Sequence, residues 1–462
     1  MMTPAGGLTA ELLTAGPTGT LLRPGDDGWD RARTPWVVNL PHEPFAVALV
    51  RSAEDVSATV RSAAASGLAI LAEGTGHGAS PVGSLTDTVL VRTNSLNTID
   101  VDPDTGTAWV GAGAEWHQAS SAAAVHGLTV QAGSAADVGV AGFLLSGGIS
   151  WLSRSRGLAV NDVLAIEIVT ADGVIRTVDA QCEPDLFWAV RGGGGGFGVV
   201  TRFRLQLHQI PSILAGTLFF PMIRGRDVLH AWRSWTGTVS EQTMSCGRLL
   251  QFPPLPDLPD PLRGQALVAV EVAHQGDPGE LADALAPLRA LDPFLDTIAQ
   301  ISAPQLADLH MDPPGPTPAT GDGLLLADLP PSAIDALIAC AGHGSASPLL
   351  SVELRHLGGA AARRPPHAGA VGHFDAPYLM FAVGVTPDAA TTHTVAARVA
   401  AIEQAMSPWA ADIHYANFVE RPCERHRFHD PHTLRRLQQI KDRIDPDCLF
   451  RSSHPLPMTR VG

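Results

Sequence analysis

The sequence predicts an α+β protein whose first part is built on a β-α-β unit and whose second part alternates strands with helices. Three observations carry this expectation. The aliphatic stretch from Leu68 to Leu71 reads as a buried strand, and it soon gives way to Gly74-Thr75-Gly76-His77-Gly78. Ahead of it, Asp55 near a helix start, Val56, Val60 and Ala64 at helical spacing, and Gly67 as a stop signal describe a helix that feeds the strand. From residue 212 to about 400, strand-like and helical runs alternate between proline-rich breaks, the pattern of a sheet backed by helices.

Composition narrows the function classes. With 462 residues, 45% hydrophobic and 17% charged, the chain can bury substantial cores and is expected to form two or three domains. A formal charge of −15 argues against a nucleic-acid partner, because phosphate backbones recruit basic patches. No basic-then-apolar leader opens the sequence and no run reaches membrane-spanning length, so a cytoplasmic location without a membrane partner is expected. Cys182, Cys246, Cys340, Cys423 and Cys448 are scattered, with no C-x-x-C pair. They are read as free thiols, with neither a disulfide framework nor a metal site.

Taken in order, residues 1 to about 35 suggest a short helix and an entry strand, and Asn39-Leu40-Pro41 leads into the β-α-β unit. Gly74, Gly76 and Gly78 remove side chains that would keep a ligand off the backbone, and N–H groups at a strand end favour phosphate. His77 stands at the mouth of this cradle. Val89 to Arg92 and Thr107 to Gly111 read as strands, with a turn over Asp102 to Gly106 between them; a helix from Glu115 to Val125 closes at Gly127. A second small-residue loop follows, with Gly133, Ser134, Val138, Gly139, Gly142, Gly147 and Gly148 placed so that backbone can lie against a flat or extended ligand. After a strand at Val163 to Val169 comes the five-glycine run Gly192 to Gly196, whose ordering is costly enough that something must hold it. A helix precedes this run and a strand follows it, the reverse of the order a dinucleotide fingerprint requires. Beyond residue 212, strands are expected at Thr217 to Phe220, Leu267 to Val272, Leu349 to Leu354 and Tyr378 to Val385. Helices are expected at Arg226 to Thr236, Gly279 to Ala290, Ser332 to Ala339 and Ala390 to Met406.

The spacing from Pro44 through Asp55-Val56, Val60 and Ile70 to Gly74-Thr75-Gly76-His77 resembles that of FAD-linked oxidases of the vanillyl-alcohol-oxidase and berberine-bridge-enzyme type. The likeness covers residues 36 to 210. It returns at Tyr415-Ala416-Asn417-Phe418 and at Leu437, Lys441, Asp445-Pro446-Asp447 and His454-Pro455. It implies a two-subdomain PCMH-type FAD-binding fold with an inserted α+β substrate domain. Residues 1–210, with a core of 36–210, would form the FAD domain, 211–406 the substrate domain, and 407–462 a segment returning to the FAD domain. It further implies that Gly74, Thr75, Gly76, His77, Gly78, Gly133, Ser134, Val138, Gly139, Gly142, Gly147, Gly148, Val200, Tyr415 and Asn417 hold the FAD, with Val200 by the adenine. In the family the histidine of the glycine motif is bonded to the flavin 8α-methyl, which assigns that tether to His77. Doubly linked members carry a cysteine where this chain has Ala135, so a single attachment is implied.

Some members use the second tyrosine of the Tyr-x-Asn-Tyr motif as the catalytic base, and here that position is Phe418. Only two tyrosines exist, Tyr378 and Tyr415. Strand alternation places Glu353 and Arg355 on one face, with Val352, Leu354 and His356 on the other. Glu353, Tyr378 and Tyr415 are therefore the candidate proton-handling residues, and desolvation is expected to raise the Glu353 pKa toward a useful base. The resemblance implies two-electron oxidation of a small organic substrate, a secondary metabolite or carbohydrate, with dioxygen as acceptor and hydrogen peroxide as product. Two alternatives are a flavin-dependent monooxygenase or cyclase, favoured by Phe418, and a small-molecule-sequestering resistance protein.

Overall fold

The computed structural model describes residues 13–456 apart from 41, 211 and 314. The expectations for residues 1–12, Pro41, Pro211 and 457–462 lie outside the described residues. Three sheets follow one another along the chain.

The first contains β1 (Thr20–Leu22), β2 (Ala46–Leu49), β3 (Ala69–Glu73) and β4 (Thr88–Arg92) in the order β1-β2-β4-β3. β2 and β3 both run parallel to β4, and the helix Ala53–Ala65 makes the crossover between them. That helix starts where the Ser52 hydroxyl accepts from Asp55 N at 3.2 Å and stops at Gly67, whose φ is +67°. Val56, Val60 and Ala63 on its inner face pack against Ile70, Val89 and Val91. In the entry region the strand β1 precedes the short helix Trp29–Arg33.

The second sheet contains β5 (Ile99–Asp102), β6 (Thr107–Gly111), β7 (Val163–Val169), β8 (Ile175–Asp179) and β9 (Val199–Gln206), ordered β5-β6-β9-β7-β8 and antiparallel throughout. The turn over Asp102 to Gly106 closes a β5–β6 hairpin rather than only separating two distant strands. Between the helix Pro184–Val190 and β9, the five-glycine run is held by the C-terminal part of the chain. Arg425 donates to the Gly193 carbonyl, Lys441 Nζ donates to the Gly196 carbonyl at 2.5 Å, and Gly194 N donates to Leu145 O at 3.0 Å. A Cβ on Gly192, where φ is +96°, would fall 2.4 Å from Val371. Close packing thus uses up the freedom of these glycines.

The third, eight-stranded sheet is made of β10 (Ser212–Pro221), β11 (Thr243–Gln251), β12 (Ala266–His274), β13 (Leu295–Asp296), β14 (Ala299–Ser302), β15 (Ala319–Leu326), β16 (Ser351–His356) and β17 (Tyr378–Val385). Its main order is β13-β10-β12-β11-β16-β17-β15, with β14 also pairing with β10. The helices Gly225–Thr236, Pro278–Arg289, Pro331–Ala341 and Ala389–Met406 bury one face around Trp232, Phe220, Val270, Leu354 and Met380. β11 and β15 escaped the sequence reading because Gly247 and Arg248 interrupt the first, and Thr320-Gly321-Asp322-Gly323 opens the second like a turn. After the helix Pro431–Ile444 the chain returns to the first sheet. There Ile70 N donates to Leu449 O and Arg451 N donates to Ile70 O, both at 2.8 Å. Among the described residues no helix is long and apolar enough to cross a membrane, and no group of His, Cys, Asp and Glu side chains could hold a metal ion.

Candidate active site

The loop after β3 is shaped by Gly76, whose φ is +91° and where a Cβ would lie 2.6 Å from Pro35. That approach brings Trp36 over His77, with ring centroids 4.2 Å apart and planes 23° from parallel. Thr75 Oγ1 lies 2.8 Å from His77 Nδ1 on the same loop. The second loop reaches the other side of the ring. Asp137 Oδ2 accepts from Trp36 Nε1 at 2.7 Å, and its Oδ1 stands 3.4 Å from His77 Nε2. Burial pushes the Asp137 carboxyl up, but the His77 ring and the Trp36 N–H outweigh it and hold the pKa below the ordinary range.

Gly139 packs on Thr75, where a Cβ would meet Oγ1 at 3.3 Å, and caps the short helix Val140–Leu145. Gly147 and Gly148 have φ of +117° and +77°, and a Cβ on Gly148 would strike the Phe143 ring at 2.5 Å. Gly133 packs against the same ring. Val138 O accepts from Trp116 N at 3.1 Å, and Val200 is buried in β9 within the core of the second sheet. The expected FAD fits these loops on two counts. A Cβ on Gly78 or Gly142 would meet nothing within 4 Å, so those backbones border open space, and the buried His77 Nε2 makes no well-directed hydrogen bond, with only the ion-pair approach of Asp137 Oδ1 at 3.4 Å.

The Tyr415–Phe418 segment lies against the second loop. The Tyr415 hydroxyl accepts from Ile149 N at 3.0 Å and from Asn417 Nδ2 at 2.8 Å, while Asn417 Nδ2 also donates to Phe143 O at 3.1 Å. Burial raises the Tyr415 pKa above its ordinary value. The Phe418 ring packs against Tyr415 and Phe381 and is covered by the Arg355 guanidinium, 4.9 Å from its centroid.

The third sheet supplies its non-helical face. Register sets Glu353 of β16 opposite Arg248 of β11, and Arg355 opposite Cys246, which in turn pairs with Glu271 of β12. His310 lies over this row. Its Nε2 is 2.5 Å from Glu353 Oε2 and its Nδ1 is 2.7 Å from Glu271 Oε2. Arg248 Nη1 donates to Glu271 Oε1 at 2.7 Å, and Arg355 Nε donates to Glu353 Oε1 at 2.7 Å. Arg355 Nη2 then donates to Ser134 Oγ at 2.9 Å, tying the row to the second loop.

Two expectations are corrected here. Burial does push the Glu353 carboxyl up, but Arg355 and His310 overcome it and hold Glu353 well below the usual carboxylate range, so it is an ionised group and not a raised-pKa base. Tyr378 is not brought to this cluster. It pairs with His356 on the opposite face, shares a 2.6 Å hydrogen bond with Thr236 Oγ1, and packs on Trp232 in the helical core. One sheet thickness separates it from Glu353.

Sequence reasoning missed Trp36, Asp137, Arg248, Glu271, His310 and Glu420. Glu271 carried a signal, a single charge inside the apolar run Ala266 to Ala273; His310 carried none. Glu420 Oε2 accepts from Gly321 N of β15 at 2.9 Å and meets the Ser80 side chain beyond the glycine loop, where burial pushes its carboxyl up to about 7.

Comparison with known proteins gives a matching family model, described as a FAD binding domain, over residues 44–179. A FAD-linked oxidoreductase, pynB of Aspergillus niger, is 34% identical over 205 residues, covering 44% of this chain and 38% of that protein. The chain spans less than half the length of the curated relatives it matches first. The crystal structure of 6-hydroxy-D-nicotine oxidase from Arthrobacter nicotinovorans superposes with a TM-score of 0.84 at 23% identity, covering 98% of this chain and 100% of that one. A berberine-bridge-enzyme-like protein of Physcomitrella patens gives 0.83 at 19% identity, covering 96% and 98%.

Proposed function

We propose that the chain is a FAD-linked flavoprotein of the vanillyl-alcohol-oxidase and berberine-bridge type, and that it is an oxidase removing two electrons from a small organic substrate, with dioxygen as final acceptor. One observation carries the reading: Arg355 Nη2 donates to Ser134 Oγ at 2.9 Å, so a buried charged row on the third sheet meets the glycine-rich loops suited to a flavin. Similarity to a protein named a nicotine oxidase supports the same class.

Bound FAD supplies a two-electron acceptor that dioxygen can reoxidise. The first loop, with Gly74, Thr75, Gly76 and Gly78, and the second, with Gly133, Ser134, Val138, Gly139, Gly142, Gly147 and Gly148, would hold it, with Val200 beside the adenine and Tyr415 and Asn417 behind the second loop. His77 would be its single covalent anchor. Trp36 and Asp137 orient that imidazole, and Asp137 presents an anion to Nε2. Glu353, ionised and pinned by Arg355 and His310, would receive the substrate proton; its two donors fix its direction while limiting its basicity. Tyr415, accepting two N–H groups, would hold the Ile149 end of the second loop in place. A secondary metabolite or a carbohydrate is the proposed substrate class.

Purified protein should be yellow, and the colour should stay in the pellet after acid precipitation. His77→Ala should fold yet release its flavin on denaturation, and the wild-type flavopeptide should contain residues around His77 only; recovery of any flavin-cysteine adduct refutes single attachment. Anaerobic substrate should bleach the flavin, and admitted oxygen should return the colour with one peroxide per turnover. A colourless protein, or flavin unbleached by a broad panel of alcohols, sugars, amines and phenols, overturns the oxidase. The monooxygenase or cyclase reading draws on Phe418 and its guanidinium cover; product formed without anaerobic bleaching would favour it.

A further inference from the structure

The row on the third sheet contains an imidazole held between two carboxylates, and the oxidase reading leaves its purpose open. His310 is 3% exposed, Glu271 0% and Glu353 3%, so solvent does not mediate these contacts. An ionised carboxylate can only accept hydrogen bonds. With Glu353 Oε2 at 2.5 Å from one ring nitrogen and Glu271 Oε2 at 2.7 Å from the other, both nitrogens must carry protons. His310 is therefore an imidazolium inside the protein. Its main chain is fixed as well, because Arg248 Nη1 donates to the His310 carbonyl at 2.6 Å while also pairing with Glu271. The indole of Trp151 meets the imidazole edge-on at 5.9 Å.

We propose that His310 is a positioning residue for the oxidation: a fixed buried cation, anchored on its far side by Glu271, that keeps Glu353 ionised and aimed so that it can accept the substrate proton at any pH the enzyme tolerates. The proposal rests on the oxidase reading only for the identity of the proton's source.

The charged and titratable groups facing His310 are Glu353 and Arg355 of β16, Arg248 and Cys246 of β11, Glu271 of β12, and Asp312 of its own loop, 4.0 Å from Arg248. Burial and Arg248 lower the His310 pKa, but Glu271 and Glu353 outweigh them and raise it. The Cys246 thiol is pushed far up by burial and stays neutral. Removing the imidazolium would take from Glu353 one of its two cationic donors in a desolvated site, so its pKa must rise. Below that new value Glu353 would be protonated and unable to accept.

Two measurements on the flavin-loaded enzyme test this. In histidine-labelled protein, nitrogen NMR should show one side chain, identified by its loss in His310→Phe, doubly protonated from about pH 6 to about pH 9, far above the free imidazole value of about 6.5. A neutral tautomer near pH 7 overturns the proposal. In stopped-flow reduction, the wild-type rate should be level above about pH 5, whereas His310→Phe should acquire an acid limb shifted up by about one pH unit or more, whatever the height of its alkaline plateau. His310→Gln, which offers Glu353 an uncharged N–H, should show a smaller shift, and flavin content and melting temperature monitor its folding. A rate lowered equally at every pH, or an unshifted limb, also overturns the proposal. If no substrate reduces the wild-type flavin, the oxidase reading fails, while the NMR experiment still decides the state of His310.

Discussion

The two halves of the candidate site handle polarity in opposite ways. Around His77, the first and second loops offer small residues, open backbone and an imidazole nitrogen left without a well-directed hydrogen bond, with His77 and Asp137 side chains 21% and 28% exposed. On the third sheet, Arg248, Glu271, His310, Glu353 and Arg355 are all at least nine-tenths buried and bonded to one another. An unfinished polar group asks for a ligand, whereas a finished network holds a geometry. The first half is a receptacle and the second a frame.

This contrast breaks most easily at Glu353. Glu353→Gln keeps the shape but removes the ionised acceptor, and flavin reduction should slow by about two to four orders of magnitude at unchanged flavin content; reduction at the wild-type rate would strip the frame of its proton-handling role. Glu271→Leu takes from the buried Arg248 and His310 the carboxylate they share, which should cost about 3–5 kcal/mol in denaturant unfolding. Asp137→Asn in the half-open cradle should cost under about 1 kcal/mol, and equal losses would erase the distinction. Glu420 sharpens it through pH. A carboxyl raised in the fold favours its protonated form there, so its contribution is full below the ordinary value of 4.5 and is lost as pH climbs through about 7. Glu420→Gln keeps the acceptor for Gly321 N, and above neutrality it should therefore stabilise by up to about 2 kcal/mol, with no gain near pH 5. The smallest effect belongs to Tyr378→Phe. From the helical face it should change flavin reduction by less than about threefold, and a larger change would show the two faces to be coupled.

How much of this was legible in the sequence follows the same division. The cradle is written in consecutive residues, because a strand end and its glycines act locally, and His77 stands out within Gly74 to Gly78 once the later glycine loops are counted with it. The alternation rule correctly put Glu353 and Arg355 on one face of β16, but a single strand does not reveal which partner strands will stand beside it. Arg248 and Glu271 become neighbours of Glu353 and Arg355 only through the β12-β11-β16 register, and His310 arrives from a connection with no periodicity. For that reason the sign of the Glu353 pKa shift was out of reach: burial was foreseeable, and the two cations that outweigh it were not. Tyr378 failed for a related cause, since a tyrosine inside an apolar strand gives no hint of which face its hydroxyl will take.

The pairing of Ile70 with the strand-like tail at Leu449 and Arg451 has a consequence for biosynthesis. Ile70 lies four residues before Gly74, yet both its backbone groups are satisfied by Leu449 and Arg451, which are synthesised long after it. A nascent chain still attached to the ribosome, with residues 449–451 inside the exit tunnel, therefore has β3 unpaired along one edge and its glycine loop without its final support. The outer edge of β3, four residues before the glycine loop, is therefore closed only once residues 449–451 have emerged and docked on Ile70.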